Sequence, residues 1–413
     1  MSSELSRLSI LVSGAGAAGQ TVSYWLARHG ARVTLLERAS APRIGGFAID
    51  LRGVAVTVAD RMGILEQARA ARVRTREIVR IAPDGSAVWK TDGNFGAGEG
   101  VSGDVEILRD DLTSILASAQ AQVDGVENLF NDSIATLVQD EDGVDVTFAS
   151  GKSAKYDLVI GADGLHSNVR ALAFGPEEKF ARPRRQYCAI FTLPNILNME
   201  RQWLMLNLPG KSVSVIQYGA DKHTRSMFIF ASPPIDFDRR DTVEQKRILK
   251  EVFEPDNDKW VIRQILDELE PANDLYFDDV TQIHMESWSN GRVALVGDAG
   301  YAPTLMTGQG SSLAVVGGYV LAGELKRAGG DHRVAFPEYR RVLRDYVAAN
   351  QALINSPEFD IIADSWEEIH ARDRRIKEIL DSAGDTPAAE RGDDGSTGAE
   401  LVKAANAVEL PHY

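Results

Sequence analysis

At 413 residues the chain exceeds one ordinary domain, and its 44% apolar content suits a globular protein with a sizeable core. A formal net charge of −15 offers no basic field to phosphate backbones or anionic lipid, so neither nucleic acid nor membrane is an expected partner. The single cysteine, Cys188, excludes a disulfide framework or a thiolate metal site within the chain and reads as a small buried apolar residue.

The apolar run at Ile10 reads as a strand and not as the core of a secretory leader, and no stretch of about 18 apolar residues follows. A cytoplasmic, monomeric protein is expected. In chain order, Ile10-Leu11-Val12 is apolar and β-prone enough for a buried parallel strand. Gly14, Gly16 and Gly19 follow in G-x-G-x-x-G spacing, then an amphipathic segment and a second apolar strand ending at Glu37. The three glycines serve different ends. The first permits a tight turn, the second lets backbone amides approach a pyrophosphate, and the third lets helix pack closely on strand. Glu37 falls where an acid accepts hydrogen bonds from ribose hydroxyls. Strand, glycines, helix and acid together predict dinucleotide binding.

The loop from Ala41 to Gly53 is glycine-rich, and its pair Gly45 and Gly46 suggests a backbone that comes close to something flat. The basic run Arg72–Arg80 reads as a solvated helix face. Turn signals at Asp84-Gly85 and Asp92-Gly93 mark short strands, and Val105–Leu116 begins as strand and becomes helix. A β-meander is predicted over about Ile134–Tyr156, followed by a parallel-type strand, Leu158-Val-Ile160, that runs into Gly161-Ala-Asp163-Gly164. From about Arg182 to Pro233 long alternating strands predict an antiparallel sheet with one wet face. Val293–Val296 returns as a parallel-type strand feeding Gly297-Asp298 and a glycine-studded helix. Helices are expected from about Ala335 to Ser382, and a loose connector precedes a short apolar-spaced tail. His166 and His223 read as structural or surface groups, and no metal-ligand spacing is present.

Three strand-to-loop junctions, GAGAAG at 14–19, GADGLHSNVR at 161–170 and GDAGYAPTLMTGQG at 297–310, can converge at the carboxyl ends of a doubly wound sheet. In this order and spacing, with an intervening β-sheet, they resemble the class A flavoprotein monooxygenases, the aromatic hydroxylases. The further combination of GGFAIDLRG, DVEILRDDL, GRVALVGDAGYAP with GQG, and the closing ELPHY is similar to the tetracycline-inactivating, or destructase, branch.

The resemblance implies an α/β fold: a Rossmann-like doubly wound FAD-binding domain, an antiparallel β-sheet substrate domain and C-terminal helices. The expected FAD-binding domain comprises 1–73, 101–180 and 278–330, and the substrate domain 74–100 and 181–277. C-terminal helices would occupy 331–383, a flexible connector 384–400 and a terminal docking helix 401–413. Gly14, Gly16, Ala17, Ala18 and Gly19 would hold the FAD pyrophosphate, and Glu37, beside Arg38, its adenosine ribose. Arg109 would reach the pyrophosphate or ribityl region. Asp163 would support the flavin and the side by which nicotinamide enters. Gly297 and Asp298 would meet the ribityl chain. Beyond Pro303, the amides of Gly308, Gln309 and Gly310 would face the pyrimidine edge of the flavin ring, where a helix N-terminus stabilises negative charge. In the glycine-rich loop, Gly46, Asp50 and Arg52 would flank the ring; for the latter two a solvent-side salt bridge is the plain alternative.

The implied reaction consumes NADPH or NADH, which reduces the flavin and has no binding fold of its own. O2 then adds at C4a, and the hydroperoxide delivers one oxygen to an electron-rich ring or enol. The expected substrate is a polycyclic small molecule, a tetracycline by the destructase resemblance; hydroxylation of another polyketide or a phenol is the alternative. Alternation points to Phe191, Met205, Gln217 and Phe228 as inward residues against that substrate, with Met306 from the flavin side; a sheet core accounts for the same residues. Tyr301 and Ser312 depart from the His and Asn of many relatives. No W-x-W-x-I-P signature of flavin halogenases accompanies the six tryptophans.

Overall fold

The computed structural model describes residues 4–40, 47–73, 75–92, 105–219, 223–356, 362–383 and 397–413. The apolar run near Ile10 becomes the strand Ser9–Ser13, flanked on both sides by parallel neighbours, which is why it carries apolar residues on both faces. The resulting six-stranded sheet runs, edge to edge, Ser289–Asn290, Val293–Leu295, Leu158–Gly161, Ser9–Ser13, Arg32–Glu37 and Val126–Phe130. Every pairing in it is parallel except that of the first two strands. The helices Ala17–Arg28 and Gly310–Arg327 pack together against it, so closely that a Cβ on Gly318 would lie 2.9 Å from the Val22 nitrogen. This is the doubly wound α/β arrangement.

A second sheet has seven strands, in the order Tyr276–Ile283, Ala181–Pro194, His223–Ala231, Lys211–Ile216, Gln202–Leu208, Glu77–Ile81 and Ala87–Asp92. It is antiparallel apart from the parallel pairing of Gln202–Leu208 with Glu77–Ile81. One face carries Tyr187, Ala189, Phe191, Val213, Val215, Phe228 and Phe230 and is covered by the helices Thr242–Phe253 and Ile262–Asp267. The other face carries Cys188, Ile190, Met227, Ile229 and Val280 and meets Leu305 and Met306 of the 297–310 motif. Two small sheets complete the fold: the meander Ile134–Gln139, Val144–Phe148 and Ser153–Tyr156, and the ribbon pairing Ala48–Leu51 with Val105–Leu108.

The reading of Arg72–Arg80 as a solvated helix face is corrected. Arg80 lies in the strand Glu77–Ile81, is 2% exposed, and its Nε sits 3.4 Å from Asp373 Oδ1 of the helix Trp366–Ala383. The strand prevails because Glu77–Ile81 is rich in β-branched residues and pairs on both sides, with Gln202–Leu208 and Ala87–Asp92, and the buried cation is matched by a nearly buried acid.

The expected boundary between connector and docking helix also changes. The last helix spans Thr397–Ala405, starting inside the stretch read as connector, and residues 406–413 continue without helix. That segment runs along Gly310–Arg327: the Tyr319 hydroxyl and Arg61 both donate to the Pro411 carbonyl at 2.8 Å, and the Tyr413 hydroxyl donates to Glu324 Oε1 at 2.7 Å. A Cβ on Gly323 would fall 2.0 Å from the Tyr413 ring. Gly323→Ala should therefore displace residues 406–413, at about 1–3 kcal/mol for overpacking. The expected result is a melting temperature a few degrees lower and faster cleavage by carboxypeptidase; unchanged melting and cleavage would show that the tail is not anchored there.

Candidate functional site

The three glycine-bearing loops leave neighbouring parallel strands, Ser9–Ser13, Leu158–Gly161 and Val293–Leu295, at the same sheet edge. They touch one another. Gly14 has a φ of +104°, and a Cβ there would lie 2.4 Å from the Ala162 carbonyl oxygen; one on Gly297 would lie 3.1 Å from the Cβ of Ala18. At Gly19 a Cβ would come within 1.8 Å of the Gly14 carbonyl oxygen. Gly16 differs, because a Cβ there would meet nothing within 4 Å. Its missing side chain leaves open space in front of the backbone, whereas Gly14 and Gly19 are required by packing.

Two helix N-termini face this edge without the usual acceptors. Ala17–Arg28 begins at Gly16 and Gly310–Arg327 at Gln309, and neither has a side-chain cap or an acid in its first turn. By contrast, Ser167, Asp241 and Asp331 cap the helices that follow them. Uncapped N–H groups at the positive end of a helix suit phosphate or carbonyl oxygens. On the 297–310 motif, Thr304 Oγ1 and Gln309 Oε1 are buried with no hydrogen-bond partner among the described residues. An elongated cofactor carrying a diphosphate and a flat polar ring fits this set of donors and acceptors.

The acidic side chains complete the cradle. Glu37 accepts hydrogen bonds from the Ala15 and Ala39 amides, each at 2.9 Å, which fixes its carboxylate beside the first loop and leaves lone pairs for further donors. Arg38 is exposed, while Ala17 and Ala18 form the first turn of their helix. Arg109 opens the helix Arg109–Gln120, its amide donating to the Phe47 carbonyl. Asp298 lies 3.6 Å from a Cβ built on Gly310, and burial pushes its pKa up to about 6. Arg52 donates to Asp50 Oδ2 at 3.0 Å, and a Cβ on Gly308 would lie 3.5 Å from the same oxygen. Ser312 ties the ribbon to this loop, accepting from the Arg52 amide and donating to the Asp50 carbonyl, both at 3.1 Å. The Arg52 side chain is only 6% exposed, so the solvent-side alternative does not apply. The Pro303 carbonyl accepts from Gln282 of the large sheet at 3.0 Å. Gly46 lies outside the described residues.

Asp163 makes its hydrogen bonds within the second loop. One of its carboxylate oxygens accepts from the Ser167 hydroxyl and the other from the Val169 amide, so the side chain shapes its own loop. Tyr301, standing where many relatives have His, is packed inward: its hydroxyl meets that of Tyr339 at 2.7 Å and occupies the space above Gly317. His166 is structural, as its sequence context suggests. It bridges Glu177 at 2.9 Å and Asp278 at 2.8 Å; burial opposes its charge, but hydrogen bonds and charges from those two acids raise its pKa to about 9.

The substrate-side residues divide by face. Met306 is buried against Ile190 and Ile229, and Met205 lies in register with Ser214 and thence Met227 on that same face. Phe191 and Phe228 do not: they stack with ring centroids 6.1 Å apart on the opposite face, under the helices 242–253 and 262–267. A one-residue offset in a period-two strand exchanges the faces, and the outward neighbours Ile190, Met227 and Ile229 take the positions expected of the two phenylalanines. Gln217 is likewise corrected. Its carbonyl accepts from the Arg201 and Gly219 amides and its amide donates to the Gly219 carbonyl, so it holds its own turn.

Sequence reasoning misses Glu106. It pairs with Asp50 across the ribbon, so the two carboxylates share one face and Arg52 is the cation beside both. Burial, reinforced by the Asp50 charge and opposed by that of Arg52, raises its pKa from 4.5 to about 8. The folded chain therefore holds a proton that the unfolded chain releases, and stability falls as pH rises from about 4.5 to about 8. In flavin-free protein, Glu106→Gln should remove this loss, so that the variant gains melting temperature over the parent progressively between these limits. Parallel melting curves across that range would contradict the assignment.

The FAD binding domain family matches residues 7–333. A flavin-dependent monooxygenase of Legionella longbeachae is 41% identical over 345 residues, covering 83% of this chain and 87% of the relative. The crystal structures of the tetracycline destructases Tet(51) and Tet(55) match with TM-scores of 0.82 and 0.80, at 33% and 36% identity, each covering 98% of both chains. The chain belongs to the FAD-binding-domain family and is a flavin-dependent monooxygenase of the class A type.

Proposed function

We propose that the protein is an NAD(P)H-consuming FAD monooxygenase whose substrate is a polycyclic, polyoxygenated small molecule, a tetracycline in the first instance. The observation that carries the cofactor reading is the open space at Gly16 together with two uncapped helix N-termini at one sheet edge. The substrate reading is supported by full-length similarity to the destructases and by the apolar sheet face of Ile190, Met227 and Ile229, which meets Met306 of the 297–310 loop.

Bound FAD supplies the redox chemistry: two electrons come from NAD(P)H, one oxygen atom of O2 enters the substrate and the other leaves as water. The chain's residues bind, orient and shield. Amides at Gly16–Ala18 take the diphosphate oxygens. Glu37 accepts a ribose hydroxyl, and Asp298 accepts one from the ribityl chain. Amides of Gly308–Gly310, at the positive end of their helix, stabilise negative charge on the pyrimidine edge of the reduced ring. Asp50 and Arg52 hold the glycine-rich ribbon against that loop. The apolar sheet face keeps water from the reacting atoms, which favours oxygen transfer over loss of peroxide.

The test follows NADPH oxidation at about 340 nm by purified flavin-loaded protein with a tetracycline present, with mass spectrometry of the product. Coupled NADPH loss and a product heavier by one oxygen is the expected result. Flavin reduction without that product would transfer the activity to another polycyclic phenol or polyketide. Failure to take up FAD would overturn the reading.

A further inference from the structure

A groove of about 380 Å³ lies behind the flavin-binding loops, between the end of the strand Tyr276–Ile283, the start of Ala181–Pro194 and the helix His332–Ala352. Arg182, Arg340 and Arg344 line it, with Glu286 as the single acid among the described lining residues, in a chain whose net charge is −15. Arg340 and Arg344 are one helical turn apart, a spacing that sets like charges against each other. Arg340 Nε is buried with no hydrogen-bond partner among the described residues. Arg182 donates to the main-chain carbonyls of Lys179 and Ala181 and not to an acid. Arg344 pairs with its neighbour Asp345, at 3.2 Å, where the carboxylate is 79% exposed and well screened. His284, also on the groove, has its pKa lowered chiefly by burial and further by the Arg182 charge. Met285 and Val347 add an apolar floor.

We propose that this groove binds a phosphate-bearing small molecule of nucleotide size, with the guanidinium groups of Arg340 and Arg344 taking its phosphoryl oxygens. Paired guanidinium forks match phosphate geometry, and an anionic occupant accounts for three arginines gathered with one carboxylate. The volume exceeds what a lone phosphate needs and suits an attached ring or sugar. Tyr301 lines the groove and belongs to the 297–310 motif, so an occupant contacts the far side of the flavin-binding loop. Two sources share this chemistry: the reduced pyridine nucleotide, a link that rests on the reaction proposed above, and a free adenine nucleotide, which does not depend on it.

Calorimetric titration of the flavin-loaded protein with 2′,5′-ADP and with ADP is the test, on the parent and the Arg340→Gln/Arg344→Gln double variant. The expected result is binding to the parent and at least tenfold weaker binding to the variant. Glu286→Gln leaves the arginines intact and should tighten binding several-fold, which guards against a misfolded double variant. If KM for NADPH rises by the same factor with kcat unchanged, the occupant is the reductant; if KM is unchanged while ADP affinity falls, it is a free nucleotide. No binding to the parent, or equal affinity in all three proteins, would overturn the site even where flavin reduction and oxygen transfer proceed normally.

Discussion

The rest of the structure is arranged around two closely packed helices whose first turns carry no side-chain cap. A helix buries its first turn at a cost unless something accepts from it; this chain provides Ser167, Asp241 and Asp331 as caps for three helices, while Val54–Arg61 and Ile262–Asp267 also go without. At Gly16 and Gln309 it provides none. The glycines that surround these ends are divided in purpose: Gly14 and Gly19 let strand and helix close on each other, and Gly16 keeps the front of the loop clear. In the proposed cofactor site, binding energy would come from the amides at these helix ends, which ties affinity to the same contacts that hold the three loops together.

Charge is managed by the same economy of partners. Asp50, Arg52 and Glu106 lie on a two-stranded ribbon beside the glycine loop, and one arginine faces two carboxylates. Glu106 therefore resists ionisation near neutral pH, while Asp298, with its pKa raised only to about 6, remains an acceptor for hydroxyl groups. Farther from the loops, His166 stays cationic between Glu177 and Asp278 and clamps the 161–170 loop to the large sheet.

Much of this is legible in the amino-acid order because the relevant signals are local. The strand, glycine spacing, helix and acid of 10–37 define a loop whose geometry hardly depends on the remaining chain, and the two later motifs repeat the strand-to-loop pattern. What escapes is non-local. The choice between Phe191 and Ile190 is a choice of sheet face, decided by the helices 242–253 and 262–267 covering one side, and alternation alone is symmetric between the two. Glu106 escapes notice because its partner Asp50 is 56 residues away in sequence and meets it only through ribbon pairing. Arg80 misleads for the same reason, its acid Asp373 lying on a helix near the other end of the chain. Asp163 and Gln217 form hydrogen bonds that shape their own loops, a feature that residue type alone does not reveal.

Cofactor binding, as proposed, turns on a diphosphate docking at the open front of Gly16. Thermal melting of flavin-free protein titrated with FAD, for the parent and Gly16→Val, puts this to the proof. The two should melt alike without FAD, because the new side chain enters empty space, and melting should rise with FAD concentration in the parent only. An equal FAD-dependent rise in both proteins would contradict docking at that position.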